Sequence, residues 1–210
     1  MSKIAIDIDE TLYSFDSAVR DAFFQMAIKA DDKSILRLAY SNNHEWRNLV
    51  DHDAKLAYEA IEIVHTASNS YQSFPDAPWV VEEIAEAGHE IIYVGSRKQE
   101  HWHTTKEFLD WNNFPEGELI CADPSKSKLE YIQDCQYLID DRPKTILEFL
   151  YTDKHEWDFQ RPDEGPRKAF ALWRPYNQNL TEVPNLYLAP TWRGLEYYLK
   201  RKGVINGSLK

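Results

Sequence analysis

Two pairs of aspartates stand directly after short apolar runs. Asp7 and Asp9 flank Ile8 at the end of Lys3-Ile4-Ala5-Ile6, and Asp140-Asp141 follow Gln136-Tyr137-Leu138-Ile139. Carboxylates brought together repel one another unless a cation lies between them. Oxygen donors without His or Cys select a hard cation. Mg²⁺ fits, because it takes one or two carboxylates, keeps several waters and shares phosphate oxygens. After a third run, Glu90-Ile91-Ile92-Tyr93-Val94, comes Gly95-Ser96-Arg97, which supplies a hydroxyl. The turn Ser125-Lys126-Ser127-Lys128 supplies lysine. Acids, cation, lysine and hydroxyl together suit a phosphate group. Uncatalysed phosphate-monoester hydrolysis is among the slowest known reactions. A carboxylate nucleophile splits it into two easier steps through an aspartyl-phosphate, and a cation and a lysine neutralise the charge on the transferring group.

These residues act together only if the fold brings the runs side by side. Residues 3–8, 90–94, 118–121, 136–139 and 169–173 read as short, nearly continuous apolar strands. Between them lie helical patterns at 79–87, closed by Gly88, then at 101–111, 125–134 and 144–151, with a last helix at 192–202. Such alternation predicts an α/β protein with a parallel sheet covered on both faces. Ligands of such sheets bind outside the carboxyl ends of the strands, which is where the acids stand.

One segment interrupts the alternation. From Phe15 to about residue 70 the periodicity is helical, with Val19, Phe23, Met26 and Ala27 on one face, Ile35, Leu36 and Leu38 continuing it, a break at Ser41-Asn42-Asn43, and a strong helix at 54–66. This predicts a small helical cap inserted after the first strand, over 15–74, on a core formed by 1–14 and 75–203. Residues 152–167 read as a loop and 204–210 as a flexible tail.

The chain has 210 residues, enough for one domain with a modest insertion and a substantial core. Its 24 Lys and Arg face 35 Asp and Glu, a formal net charge of −11. An acidic surface repels a phosphate backbone and excludes general nucleic-acid binding, though not a local pocket for one phosphate. Two cysteines, Cys121 and Cys135, build neither a disulfide framework nor a Cys-based zinc site. With no signal-peptide pattern and no long apolar span, the expected location is cytoplasmic, without a membrane partner. The sequence leaves a homodimer open.

The run Ile6-Asp7-Ile8-Asp9-Glu10-Thr11-Leu12 resembles the first motif of the haloacid-dehalogenase-like (HAD) phosphohydrolases, Asp-x-Asp-x-Thr after a buried strand. Asp140-Asp141 resembles their acidic fourth motif, and Lys126, 14 residues earlier, suits the third-motif lysine. Within that superfamily the chain is similar to the 5′(3′)-deoxyribonucleotidases of phage and bacterial type. The similar stretches are Phe74-Pro75-Asp76-Ala77-Pro78 leading into Gly88-His89-Glu90-Ile91, Leu138-Ile139-Asp140-Asp141-Arg142-Pro143, and Arg174-Pro175-Tyr176-Asn177 followed by Trp192. The resemblance implies a Rossmann-like HAD core and a Mg²⁺-dependent phosphomonoesterase acting on nucleoside monophosphates. Asp7 would be the nucleophile and Asp9 the general acid and then base. Asp7, Asp9 (through its carbonyl), Asp140 and Asp141 would hold the metal, and Thr11, Ser96 and Lys126 would bind the phosphate. Lys128, two residues on, competes with Lys126 for its role.

One position departs from the pattern. The second motif usually places Thr or Ser two residues before an Arg such as Arg97, and Gly95 stands there. Ser96 or the Gly95 backbone N–H would have to substitute, which keeps open a non-catalytic nucleotide-binding module. A 3′-phosphatase of nucleic-acid ends is the other alternative, and the net charge disfavours it. Arg97 reads equally as a structural ion pair. His101 and His103 share no helix face, and the sequence shows no third ligand beside them for a metal. Trp46, Phe23, Phe24 and Tyr58 are candidates to stack a base, and Phe15 and Ser17 to face the site. Arg174, Tyr176 and Asn177 read as loop-ordering residues.

Overall fold

A computed structural model of the chain describes residues 2–30, 54–151 and 167–206. The expectations for Ile35, Leu36, Leu38, the break at Ser41-Asn42-Asn43, Trp46, the loop at 152–166 and the last four residues lie outside them.

Six strands form one parallel sheet: β1 (Lys3–Asp7), β2 (Glu90–Ser96), β3 (Glu118–Ala122), β4 (Tyr137–Ile139), β5 (Lys168–Leu172) and β6 (Leu186–Ala189), in the order β3-β2-β1-β4-β5-β6. Alternate residues of each strand enter opposite cores. Ile4, Ile6 and Tyr93 belong to one, and Ala5, Val94 and Leu138 to the other. The helices are α1 (Phe15–Ala30), α2 (Ala54–Thr66), α3 (Ala77–Glu86), α4 (Trp102–Trp111), α5 (Pro143–Tyr151) and α6 (Trp192–Arg201). Helix α3 carries Pro78 in its first turn, where a missing N–H costs nothing, and ends before Gly88 at φ 87°, as a glycine cap requires. Among the described residues no helix is long and apolar enough to cross a membrane.

Both α1 and α2 lie between β1 and β2. Their apolar faces, with Val19 and Phe23 on one and Ala60 and Val64 on the other, join the same core as Ile4 and Ile6. The strand order reverses at β1, which has β2 on one side and β4 on the other. Register then aligns the acids. Ile6 pairs with Ile139, so Asp7 stands level with Asp140; Asp7 pairs with Val94, so Gly95 and Ser96 lie just beyond it.

Two elements differ from the sequence expectation. The helix expected over 125–134 is only a 3₁₀ turn, Lys128–Tyr131. Asp123 accepts the Ser125 N–H at 2.9 Å and Ser127 caps the turn through the Leu129 N–H, so short polar side chains take the bonds a longer helix would use. The sequence pattern does not predict the edge strand β6. It is four residues long and lies between Pro184 and Pro190, which mask it as loop.

Candidate active site

Asp7, Asp140 and Asp141 are buried together, with carboxylate oxygens within 4.8 Å of one another. Lys128, 5% exposed, reaches them from the 3₁₀ turn, pairing with Asp7 Oδ1 and lying 3.1 Å from Asp140 Oδ2. Thr11 donates its hydroxyl to Asp7 Oδ2 at 3.1 Å. The Arg142 N–H donates to Asp140 Oδ1 at 2.7 Å, and the Tyr176 hydroxyl donates to Asp141. Burial drives the Asp7 carboxyl well above its usual range. Lys128 opposes this, and repulsion from Asp140 and Asp141 reinforces it. Burial alone would lower Lys128, but Asp140 and Asp7 hold it above the ordinary lysine value. One lysine against three carboxylates leaves excess negative charge, and all the offered ligand atoms are oxygens. The donor set therefore fits a hard divalent cation.

Asp9 turns away from this group. Arg97 grips it with Nη2 at 2.5 Å from Oδ1 and Nε at 3.3 Å from Oδ2, the Tyr13 hydroxyl donates to Oδ1 at 2.8 Å, and His65 Nε2 lies 3.3 Å from Oδ2. Burial disfavours the Asp9 anion, but Arg97 and His65 outweigh it and hold the carboxyl well below the usual range. Arg97 itself is 1% exposed and also donates to Thr105 Oγ1 at 2.8 Å. A Cβ at Gly95 would meet Ile8 Cδ1 at 3.3 Å and the Arg97 stem at 3.4 Å, so the Ile8 side chain would have to give slightly to admit a larger residue there. Replacing Arg97 by Met should strand the Asp9 carboxylate and cost about 3–5 kcal/mol of stability. The measurement is the urea midpoint at unchanged slope.

A cavity of about 550 Å³ opens over these groups. It is lined by Asp7, Asp9, Ser96, Lys128, Asp141 and Tyr176, by Phe15 and Asp16 of α1, and by Tyr58, Ile61, Glu62 and His65 of α2. The loop after β1 is pinned from across the sheet. Glu10, at φ 63°, accepts from Arg174 Nη2 through its carbonyl at 2.9 Å and pairs with Arg174 Nε at 2.9 Å. Asn177 ties Asp141 O to Leu172 O, each at 3.0 Å.

The structure thus brings together Asp7, Asp140 and Asp141, with Asp9 and Ser96 beside them on the cavity. Thr11 is 1% exposed and faces Asp7 from behind. Lys126 needs correction: its side chain is 52% exposed and faces Glu130 at 3.9 Å, while Lys128 enters the acidic group. Of the aromatic candidates, Tyr58 and Phe15 line the cavity, whereas Phe23 is core. His65 carried no local signal, because its partner Asp9 is remote in the chain.

No protein-family model matches the chain. It is similar to two bacterial proteins, each named as a putative nucleotidase. An Oceanobacillus iheyensis protein is 31% identical over 189 residues, 85% of this chain and 99% of that one. A Bacillus cereus protein is 28% identical over 164 residues, 76% of this chain and 71% of that one. Among solved structures, a HAD family hydrolase from Deinococcus radiodurans, crystallised with bound phosphate and sodium, superposes with a TM-score of 0.63 at 10% identity, covering 99% of each chain. A HAD hydrolase from Entamoeba histolytica gives 0.56 at 11% identity, covering 95% of this chain and 100% of that one. Likeness at such identities shows a shared fold.

Proposed function

Because the chain belongs to the nucleotidase family of HAD-type phosphohydrolases, we propose that it hydrolyses the phosphate monoester of a mononucleotide through an aspartyl-phosphate on Asp7, with Mg²⁺ as cofactor. The observation that carries this reading is the buried group Asp7, Asp140, Asp141 and Lys128 at a cavity lined by Asp7, Lys128 and Asp141 together with Phe15, Tyr58 and Ile61. Charge for a phosphate and apolar surface for a base line the same cavity. The cavity volume of about 550 Å³ suits one nucleotide better than a nucleic-acid end. Helices α1 and α2, in the segment 15–74, serve as the cap that encloses substrate and excludes water.

The steps follow from the side chains. An Asp7 oxygen attacks phosphorus, and the ester P–O bond breaks with its electron pair moving to the nucleoside oxygen. The Asp9 carboxyl gives that oxygen its proton. For Asp9 to carry that proton, the charge of the bound phosphate would have to offset the pull of Arg97 and His65, which hold the resting carboxyl well below its usual range. Asp9 then takes a proton from water, which attacks the phosphoryl group and releases phosphate and the Asp7 carboxylate. Lys128 and the Ser96 hydroxyl meet the charge on the phosphoryl oxygens, and Thr11 orients Asp7. Asp7, Asp140 and Asp141 would hold Mg²⁺, which when bound neutralises charge on the phosphoryl oxygens. A cytoplasmic setting accords with two free cysteines, of which Cys135 is pushed up to about 12, mainly by burial, and so kept unreactive.

The test is phosphate release from all ribo- and deoxyribonucleoside 5′- and 3′-monophosphates, with and without Mg²⁺. Release is expected from a subset of them, to be lost with EDTA. Mg²⁺ at about 100 times its Kd should add about 2.7 kcal/mol of stability, read as a higher Tm. Metal and nucleotides that raise the Tm while no nucleotide loses phosphate would favour the non-catalytic binding module and overturn the hydrolase.

A further inference from the structure

His65 lies on the last turn of α2, 6% exposed, and lines the cavity. Its ring stacks on Phe15, with centroids 5.4 Å apart at 27°, and lies 5.5 Å from the ring of His101, while its backbone carbonyl accepts from Ser68 Oγ and from Thr104 Oγ1 of α4, each at 3.0 Å. Yet its Nε2, buried and 3.3 Å from Asp9 Oδ2, makes no aligned hydrogen bond among the described residues. Asp9 Oδ2 faces this donor at poor alignment, which leaves bonding capacity that a ligand can take. The facing carboxylate favours the tautomer with hydrogen on Nε2.

The position of Nε2 identifies what it meets. The phosphoryl group belongs at Asp7 and Lys128, and the nucleoside belongs against Phe15 and Tyr58. The ester oxygen joining them passes Asp9, the group that delivers its proton, and Nε2 stands beside that same carboxylate. Resting on the phosphatase reading above, we infer that His65 is a further catalytic residue, whose Nε2–H donates a hydrogen bond to the ester oxygen of the bound substrate. As the P–O bond breaks, the electron pair moves to this oxygen, Asp9 supplies the proton that completes the alcohol, and His65 keeps its own. The bond strengthens as charge develops, so it acts on the transition state more than on binding.

Such a role depends on the leaving group. A nucleoside alkoxide needs the donor far more than p-nitrophenolate does. His65→Leu leaves an apolar side chain of similar size against Phe15 and removes the N–H; His65→Gln restores a donor. On a nucleoside monophosphate that the wild type hydrolyses, His65→Leu should lower kcat about 10²-fold with little change in KM. On p-nitrophenyl phosphate its loss should be less than a tenth of that factor. His65→Gln should recover at least about tenfold of the nucleotide activity, and the Tm of each variant shows that it is folded. Equal losses on both esters, or no loss on the nucleotide, would overturn the inference and leave the phosphatase reading standing. A wild type that hydrolyses neither ester in Mg²⁺ would overturn both.

Discussion

Asp7→Asn is expected to lower phosphate-ester hydrolysis by at least about 10³-fold while the protein stays folded. The amide matches the carboxylate in size, and its oxygen still accepts from Thr11 or Lys128, the two groups that hold Asp7 now. What disappears is the oxygen nucleophile and one of three buried negative charges. The stability effect has a sign that can be worked out. Burial and neighbouring acids raise Asp7 above its unfolded value, so the unfolded chain releases this proton first as pH rises. In EDTA the wild type should therefore lose stability as pH climbs from the ordinary carboxylate range toward the raised value of Asp7. Asp9 contributes nothing to that slope. Its depressed carboxyl stabilises the fold throughout this range and loses its effect only as pH falls below the unfolded value. Asp7→Asn should flatten the slope in EDTA melts at pH values above the ordinary carboxylate range. An Asn variant that releases phosphate from p-nitrophenyl phosphate as fast as the wild type would rule out the nucleophile.

The acids of the site were legible because they obey a local rule. Asp7 and Asp140 each end a buried apolar run, and in a parallel sheet such ends lie on one edge. Register then needed only the right neighbours, and the reversal at β1 provided them. Residues that act across the chain left no such trace. Asp9 meets Arg97 from β2's carboxyl end and His65 from α2, and neither pairing has a periodicity or spacing of its own. Gly95 was visible as an anomaly and read as a lost hydroxyl. In the structure Gly95 packs against the tip of Ile8 and the stem of Arg97, so a larger residue there would need the Ile8 side chain to give by a few tenths of an ångström. Tyr176 and Asn177 look like loop polarity in the sequence, but their contacts with Asp141 make them part of the acidic site. The short strand β6 was hidden because the flanking prolines speak for a loop more strongly than four apolar residues speak for an edge strand.

The choice between two lysines gives the second large effect. Lys126 and Lys128 sit in one turn, and composition cannot say which enters the site. The turn begins at Ser127, whose side chain caps it, so Lys128 takes the first turn position with its side chain directed at Asp7 and Asp140, and Lys126 stays outside. Lys128→Met should lower hydrolysis about 10²–10³-fold, because it removes a fixed positive charge where the phosphoryl oxygens develop theirs. It should also destabilise the protein by about 3–5 kcal/mol in EDTA, since Asp7 and Asp140 lose their buried cation. Mg²⁺ answers the same excess charge, so the variant's Tm should rise more on adding Mg²⁺ than the wild type's does, while its activity stays low. That pairing separates a phosphate-binding lysine from a merely structural one, for which metal would restore both. Lys126→Ala should change neither activity nor Tm beyond a surface substitution, about 0.5 kcal/mol at most. If Lys126→Ala abolished turnover and Lys128→Met did not, the arrangement of the whole acidic group around Asp7 would be wrong, because no rotation of one lysine exchanges the two without moving the turn that connects β3 to β4.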